Sequence, residues 1–164
     1  LYSGNLDFIL TMHFPEMEKL HGDLEVMEIC QVPQAVIYPK EFGTKKDIAD
    51  FQDSVFYLSA DAPVEYSRAN LEQICVQKEF IPKTKVVPNH ATLLSLMDRE
   101  DSAAIMDLWC QPIYDKKFKY VRLEASVPIV GAFRKNCAHA KIIRMLYETL
   151  AERYGEEVII IIRK

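Results

Sequence analysis

The sequence Lys83-Thr-Lys-Val-Val-Pro-Asn-His-Ala-Thr-Leu-Leu-Ser-Leu-Met-Asp-Arg-Glu-Asp-Ser-Ala-Ala-Ile-Met-Asp107 predicts a strand, a capped helix and a second strand, in that order. The first strand ends at Pro88, since proline cannot donate a hydrogen bond within a sheet. Asn89 is the predicted N-cap, its side-chain oxygen accepting from the N–H of His90 or Thr92. In open α/β sheets, ligands bind where strand ends meet such helix N-termini, so this turn is predicted to lie at the mouth of a site.

The rest of this stretch and the segment before it alternate between helix and strand. Apolar residues at 93, 94, 96 and 97 form one face of the predicted helix, and Ala103 to Met106 is short enough for a buried strand. Upstream, Ser54 to Ser59 is strand-like, and Val64 to Phe80 has the apolar spacing of a helix, with Asp61 as its candidate N-cap. This alternation favours a largely parallel sheet.

The flanking segments predict further strands and one long helix. Leu6 to Leu10 is predicted as a buried strand that follows a helix end at Leu1–Asn5, and Leu24 to Tyr38 as two strand segments meeting at Pro33. Two more strands are predicted at residues 116–123 and 127–133. The last helix is predicted to start at an Asn136 cap and stop at Gly155, and the apolar tail Val158–Ile162 is predicted to pair in a sheet or be covered.

Length and charge limit the class of protein. A chain of 164 residues makes one domain or two small lobes. The net charge of −4 argues against direct binding of nucleic acid, because phosphate contacts need a basic face. No apolar run approaches the roughly 20 residues of a membrane span, and the first residues lack the features of a signal peptide, so a cytoplasmic protein without a membrane partner is expected.

Cysteines and histidines do not predict a metal site. Cys30, Cys75, Cys110 and Cys137 are widely spaced and are interpreted as small buried hydrophobic residues in a reducing cytosol, with a redox thiol pair as the alternative. The four histidines lack the spacing of zinc ligands. No nucleophile elbow, phosphate loop or glycine-rich dinucleotide turn is present, so neither a cofactor nor a catalytic residue is predicted.

Four stretches together resemble one protein family. They are the Gly4-Asn-Leu-Asp-Phe-Ile-Leu10 strand, the paired strands and loop from Glu28 to Phe42, the run from Phe56 to Met106, and the strand from Val127 to Lys135 with the helix that follows it. In this order they resemble the effector-binding regulatory domain of LysR-type transcription regulators. The resemblance covers about residues 4–152.

The resemblance implies a two-lobed α/β fold similar to type 2 periplasmic binding proteins, with mostly parallel sheets joined by two crossing strands. Residues 1–34 and 131–164 would form a partial first lobe, and residues 35–130 the second lobe, within a single effector-binding domain. The family's helix-turn-helix and the first part of its first lobe would precede Leu1. DNA would therefore be contacted only through a segment outside this sequence.

The resemblance also implies a site for a small-molecule effector, with a carboxylate as one candidate group. The candidate effector-binding residues are Met12, His13, Ser59, Ala60, Asp61, Asn89, His90, Thr92 and Asp107. The alternative for Asn89 and Asp61 is helix capping without a ligand, and for His90 a solvated loop position. Trp109 is a candidate for lining the cleft or, alternatively, a buried anchor after a strand.

The function expected from this resemblance is transcription regulation rather than catalysis. An effector closing the two lobes would change the arrangement of a homodimer or homotetramer and so of its DNA-binding arms. Two rivals remain open at the level of sequence. One is a free-standing solute-binding protein and the other is an enzyme on the same bilobal fold, which would need a cleft residue with a shifted pKa and a reactive partner.

Overall fold

The structure, a computed structural model of the chain, describes residues 6–13, 23–98, 101–110 and 117–162. These residues form an α/β fold with a mixed six-stranded sheet in the order β1-β6-β2-β5-β3-β4. The strands are β1 Phe8–Met12, β2 Leu24–Pro39, β3 Val55–Ser59, β4 Lys83–Val87, β5 Ser102–Asp107 and β6 Phe118–Arg134. The α-helices are α1 Val64–Val76, α2 His90–Met97 and α3 Ala140–Ile162, and Ile48–Phe51 and Leu108–Cys110 are 3₁₀ turns.

Two long strands connect two compact units. Unit 1 contains the described residues up to Val32 and from Ser126 onward, and unit 2 contains those from Pro33 to Ala125. Both β2 and β6 continue across this division, and they are neighbours in the sheet. The predicted pair of crossing strands is therefore present. Each is one continuous strand rather than two segments, because a proline removes one hydrogen bond without ending a strand paired on either side of it.

Unit 2 contains the parallel part of the sheet, as the alternation of elements predicts. β3 lies between β4 and β5 and runs parallel to both, whereas β5 runs antiparallel to β2. Alternate side chains of β3 face opposite layers: Phe56 packs in a cluster with Leu71 of α1, and Tyr57 in a cluster with Leu93 of α2. The two helices thus cover opposite faces of this part of the sheet. Only Pro88 and Asn89 separate the end of β4 from α2, so α2 starts at the carboxyl end of that strand.

Unit 1 is built from α3 on the antiparallel pair of β1 and β6. Ile143 and Tyr147 of α3 pack against Phe133 of β6. A strand is present here, but the prediction that residues 6–10 are buried is wrong. Among the described residues β1 pairs only with β6. Phe8 and the preceding Leu6, which is 57% exposed, are accessible to solvent. The alternation of apolar residues identifies the strand but not how many neighbours cover it.

The ends of the last helix differ from the prediction. α3 begins at Ala140, so Asn136 is not its cap, and it continues through Gly155 to Ile162. Of the two alternatives for Val158–Ile162, pairing in a sheet is therefore wrong, because these residues are helical. Extending a helix that already exists needs no new nucleus, so a glycine that costs about 1 kcal/mol does not have to end it. The helix end predicted over Leu1–Asn5 lies outside the described residues.

Two of the four cysteines are buried as predicted. Cys30 and Cys75 are buried free thiols, and Cys137 is a partly exposed free thiol. Burial raises the pKa of Cys75 to about 12 and also raises the pKa of Cys30. Because the thiolate is the reactive form, the two buried side chains act as small apolar groups in the core.

Candidate functional site

Six of the seven predicted site residues in unit 2 lie at or just after the ends of the adjacent parallel strands β3 and β4. The seventh, Asp107, is the last residue of β5. Ser59 is the last residue of β3, and Ala60 and Asp61 follow it directly. The backbone N–H of Ala60 donates to the carbonyl of Val87, the last residue of β4, at 2.9 Å. β5 ends at Asp107 and runs parallel to β3, so its carboxyl end is at the same edge of the sheet. This edge is referred to below as the strand-end edge.

Asn89 caps α2 as predicted. Its backbone is extended, with φ −158° and ψ 169°, and its Oδ1 accepts from the N–H of Thr92 at 2.9 Å. Its carbonyl accepts from the N–H of Leu93 at 3.1 Å. The cap places the start of α2, including the half-buried Thr92, at the strand-end edge.

Asp61 also binds α2 and is not the N-cap of α1. The N-cap position of α1 is Pro63, which makes no side-chain capping hydrogen bond. Asp61 Oδ2 instead accepts from the backbone N–H of His90 at 2.8 Å. Ser59 braces the carboxylate, since its hydroxyl lies 3.3 Å from Asp61 Oδ2 and also accepts from the Asp61 N–H at 3.2 Å. The first and third residues of α2 therefore have their N–H groups occupied by oxygens of the protein itself.

Asp107 lies in a more buried setting at the end of β5. It is opposite Gln34 of β2 in the antiparallel register. Burial raises the pKa of Asp107, and a hydrogen bond from the Gln34 side chain opposes that rise. Gln34 is only 7% exposed, and its Oε1 accepts from Asn70 Nδ2 of α1 at 3.2 Å.

Neither Trp109 nor His90 lies in the setting that the sequence favours. Trp109 follows β5 in a 3₁₀ turn and is 46% exposed, so the prediction of a buried anchor is wrong. His90 is not a loop residue, because it is the first residue of α2 and its backbone is bound to Asp61. Its burial is intermediate.

The two predicted site residues of unit 1 lie at the end of β1. Met12 is the last residue of the strand and packs at the margin of the cluster that contains Tyr147. The N–H of His13 donates to the carbonyl of Pro128 at 2.9 Å. Both side chains are half-buried.

Gln34 and Asn70 are the residues of this region that sequence reasoning missed. Gln34 is the one polar side chain in the apolar run from Val32 to Tyr38, which is the signal that could have marked it. A buried amide needs hydrogen-bonding partners, so its position predicts a polar contact but not which one. Asn70 carries no comparable signal, since it lies on the polar surface pattern of a helix.

The described part of the chain holds no group of three or more histidine, cysteine and acidic side chains arranged for a metal ion. Within the same part, no helix combines the length and the apolar character needed to cross a membrane. The strand-end edge presents the carboxylates of Asp61 and Asp107, the hydroxyls of Ser59 and Thr92, and the side chains of Asn89 and His90.

Known structures share the whole fold. CbnR, a LysR family transcriptional regulator, matches with a TM-score of 0.70 at 18% identity, over 94% of this chain and 54% of that chain. The reduced regulatory domain of OxyR2 from Vibrio vulnificus matches with a TM-score of 0.70 at 16% identity, over 93% of this chain and 74% of that domain. The effector-binding domain of QuiR in complex with shikimate matches with a TM-score of 0.66 at 16% identity, over 96% of this chain and 75% of that domain.

These matches confirm the predicted fold. The chain has the type 2 periplasmic-binding-protein-like fold of LysR regulatory domains, and it spans about half the length of CbnR. No protein-family model matches the chain, and a search of curated proteins finds no match.

Proposed function

We propose that this chain is the small-molecule-sensing domain of a LysR-type transcription regulator. Support comes from the fold it shares with LysR regulatory domains, one of which binds shikimate. In this proposal, units 1 and 2 are the two lobes of one effector-binding domain.

The observation that carries the proposal is the convergence of three segments at the strand-end edge of unit 2. Ser59–Asp61, the start of α2 and Asp107 come from different strands, and all of them present polar groups there. Ligands in open α/β folds bind at this edge because backbone groups at strand ends and helix starts have no partner within the sheet. Met12 and His13 of unit 1 remain candidate residues from the resemblance alone.

The polar groups at this edge favour a ligand that donates hydrogen bonds. A ligand carboxylate at the start of α2 would have to approach the Asp61 carboxylate, which already accepts from His90. Two like charges at that distance repel each other, whereas an amine or hydroxyl would be attracted. An effector with a carboxylate therefore has to place that group away from Asp61.

In the whole protein, we propose that ligand binding alters the geometry of a DNA-bound homodimer or homotetramer in the cytoplasm. CbnR has been solved in complex with its target DNA, and this chain covers 55% of that protein. The DNA-binding helix-turn-helix would lie outside these 164 residues. Coupling requires the ligand to have different affinities for two forms of the domain, since equal affinities shift no equilibrium.

The two rival functions make different predictions. A free-standing solute-binding protein would bind ligand without affecting any DNA-binding assembly. An enzyme would need a reactive group beside a residue with a shifted pKa, and among the described residues of the strand-end edge that residue is Asp107. Its hydrogen-bond partner is the Gln34 amide, which is not a nucleophile, so sensing is favoured over catalysis.

A thermal-shift screen of small metabolites tests the proposal. We expect at least one compound that raises the melting temperature of the chain and loses affinity with Thr92→Val, which removes the hydroxyl but keeps the backbone N–H bound to Asn89. Asp53→Asn is the matched control, because Asp53 is highly exposed and lies at the opposite ends of β3 and β4. If neither Thr92→Val nor Asn89→Ala changes the affinity of the compounds that bind, the binding site lies elsewhere.

A further inference from the structure

A buried amide at the start of unit 2 has a defined orientation. Gln34 is the first residue after Pro33 on β2, and it is one of three buried polar residues in the described part of the chain. Its Oε1 accepts from Asn70 Nδ2 at 3.2 Å, so its Nε2 is left to point the other way. Its cross-strand partner in the antiparallel register is Asp107, so the two side chains are neighbours on one face of the sheet. The Gln34 side chain opposes the rise that burial causes in the pKa of Asp107.

The opposite orientation of the amide would be unfavourable at both ends. A flipped Gln34 would turn its oxygen toward the Asp107 carboxylate and its NH₂ toward the NH₂ of Asn70. Acceptor would then meet acceptor and donor would meet donor, and each unsatisfied buried group costs about 1–3 kcal/mol. Because a carboxylate only accepts hydrogen bonds, Asp107 favours the orientation that turns the Gln34 nitrogen toward β5 and its oxygen toward Asn70.

The Asp107 carboxylate keeps hydrogen-bonding capacity beyond this contact. A carboxylate has two oxygens that can accept about four hydrogen bonds, whereas the amide nitrogen of Gln34 carries only two N–H groups. Asp107 is half-buried rather than buried, so it is still accessible from the strand-end edge. Burial disfavours its charged form, which makes an additional donor more valuable to it than to a solvated carboxylate.

We propose that Gln34 is a positioning residue for Asp107, and that Asp107 selects ligands presenting an N–H or O–H donor over ligands presenting a carboxylate. The ligand part of this proposal rests on the function proposed above. The positioning part rests on the Asn70–Gln34 hydrogen bond and on the cross-strand register of Gln34 with Asp107. Gln34 would act through Asp107 and need not touch the ligand itself.

The positioning part is tested by the titration of Asp107, followed by carboxyl ¹³C NMR on the full chain. Gln34→Met keeps the length of the side chain and removes the donor, so we expect the pKa of Asp107 to rise above its wild-type value. Asn70→Ala leaves Gln34 in place but frees its amide, and we expect a smaller change in the same direction. Gln31→Met is the control, because Gln31 is an exposed glutamine on the same strand.

The results distinguish a Gln34 that positions the Asp107 carboxylate from a Gln34 that only fills space in the core. If Gln34 only fills space, Gln34→Met leaves the titration of Asp107 unchanged, and the proposal is overturned. If Gln34→Met does not fold, Asn70→Ala decides by itself. An equal change with Gln31→Met would also overturn the proposal, because the effect would then not depend on the contact.

The ligand part is tested with matched pairs of small amines and carboxylates on one carbon skeleton, such as benzylamine and benzoate. We expect the amine of a pair to bind about tenfold tighter or more, with shifts of the Asp107 amide signal that disappear in Asp107→Asn. Tighter binding by the carboxylates at this edge would contradict the selectivity. If no pair binds there, the proposed site fails, while the titration still decides the role of Gln34.

Discussion

Asp61 Oδ2 lies 2.8 Å from the backbone nitrogen of His90, so a carboxylate from the loop after β3 caps a helix that begins 29 residues later. The favourable position for negative charge at the start of α2 is thus taken by the protein itself. This contact joins the loops after β3 and β4 at the strand-end edge. It also gives the loop of Ser59 to Asp61 a structural role in addition to the proposed binding role.

Replacing Asp61 should lower the stability of the chain although the Asp61 side chain is exposed. Asp61→Ala removes the acceptor for the His90 N–H, and we expect a loss of about 1 kcal/mol in the free energy of unfolding, measured by urea denaturation. Asp53→Ala is the matched control, since Asp53 is exposed and its nearest ion-pair partner, Lys83, is 3.8 Å away. Equal losses in both variants would mean that the capping contact contributes nothing specific.

A side chain at position 131 should not be tolerated. A Cβ on Gly131 would lie 2.4 Å from the ring of Tyr147, which is fully buried between α3 and β6. We expect Gly131→Ala to destabilise the chain by about 1–3 kcal/mol, because the ring has no space to move into. In a Tyr147→Leu background the same substitution should cost much less, and a cost that stays the same in both backgrounds would contradict the steric explanation.

The hydroxyl of Tyr147 should hold β1 in place. It donates to the carbonyl of Ile9 at 2.9 Å and lies 3.3 Å from that of Ala132, and burial raises its pKa to about 12. We expect Tyr147→Phe to cost about 1 kcal/mol and to speed hydrogen exchange of the β1 amides more than that of the β3 amides. Uniform acceleration across both strands would argue against a local role.

Asp107 should make the stability of the chain depend on pH in a defined direction. Its pKa is raised in the folded state, so its contribution favours folding below the unfolded pKa and is lost as pH rises through the folded pKa. We expect Asp107→Asn to be more stable than wild type at pH 7, with the difference shrinking as pH falls toward 3. Urea denaturation at several pH values measures this, and a difference that grows on acidification would contradict it.

The turn that follows α1 contains a strained residue that offers a further check. Glu79 has φ 63°, a left-handed conformation that costs a residue with a side chain about 1–2 kcal/mol. We expect Glu79→Gly to stabilise the chain by up to about 1 kcal/mol, after the extra entropy of glycine is subtracted. Gln77→Gly, at a position with φ −63°, should instead destabilise it, and the same sign for both variants would be inconsistent with strain at Glu79.

Sequence reasoning succeeded where the contacts are local. The Asn89 cap reaches only to Thr92, and the short strands β3, β4 and β5 are set by apolar runs and their proline and charged boundaries. Such signals lie within one turn or one strand, so they are visible in a linear pattern. The resemblance then supplied the two-lobed arrangement that local patterns do not contain.

Sequence reasoning failed where a residue is defined by a distant partner. The local pattern around Asp61 predicts a cap for the helix that follows it, because nothing local indicates a partner 29 residues away. The Gln34–Asn70 contact spans 36 residues and joins a strand to a helix. The exposure of Phe8 likewise depends on which strands flank β1, and the sequence of β1 alone does not indicate its neighbours.

Amide NMR mapping of a bound metabolite on the full chain shows whether a small molecule binds at the strand-end edge of unit 2. We predict that signal changes concentrate on Ser59–Asp61, Asn89–Thr92 and Asp107, and that Asp107→Asn weakens them. Binding at this edge is ruled out if bound compounds shift signals only at other positions, or if a broad metabolite library yields no compound that binds.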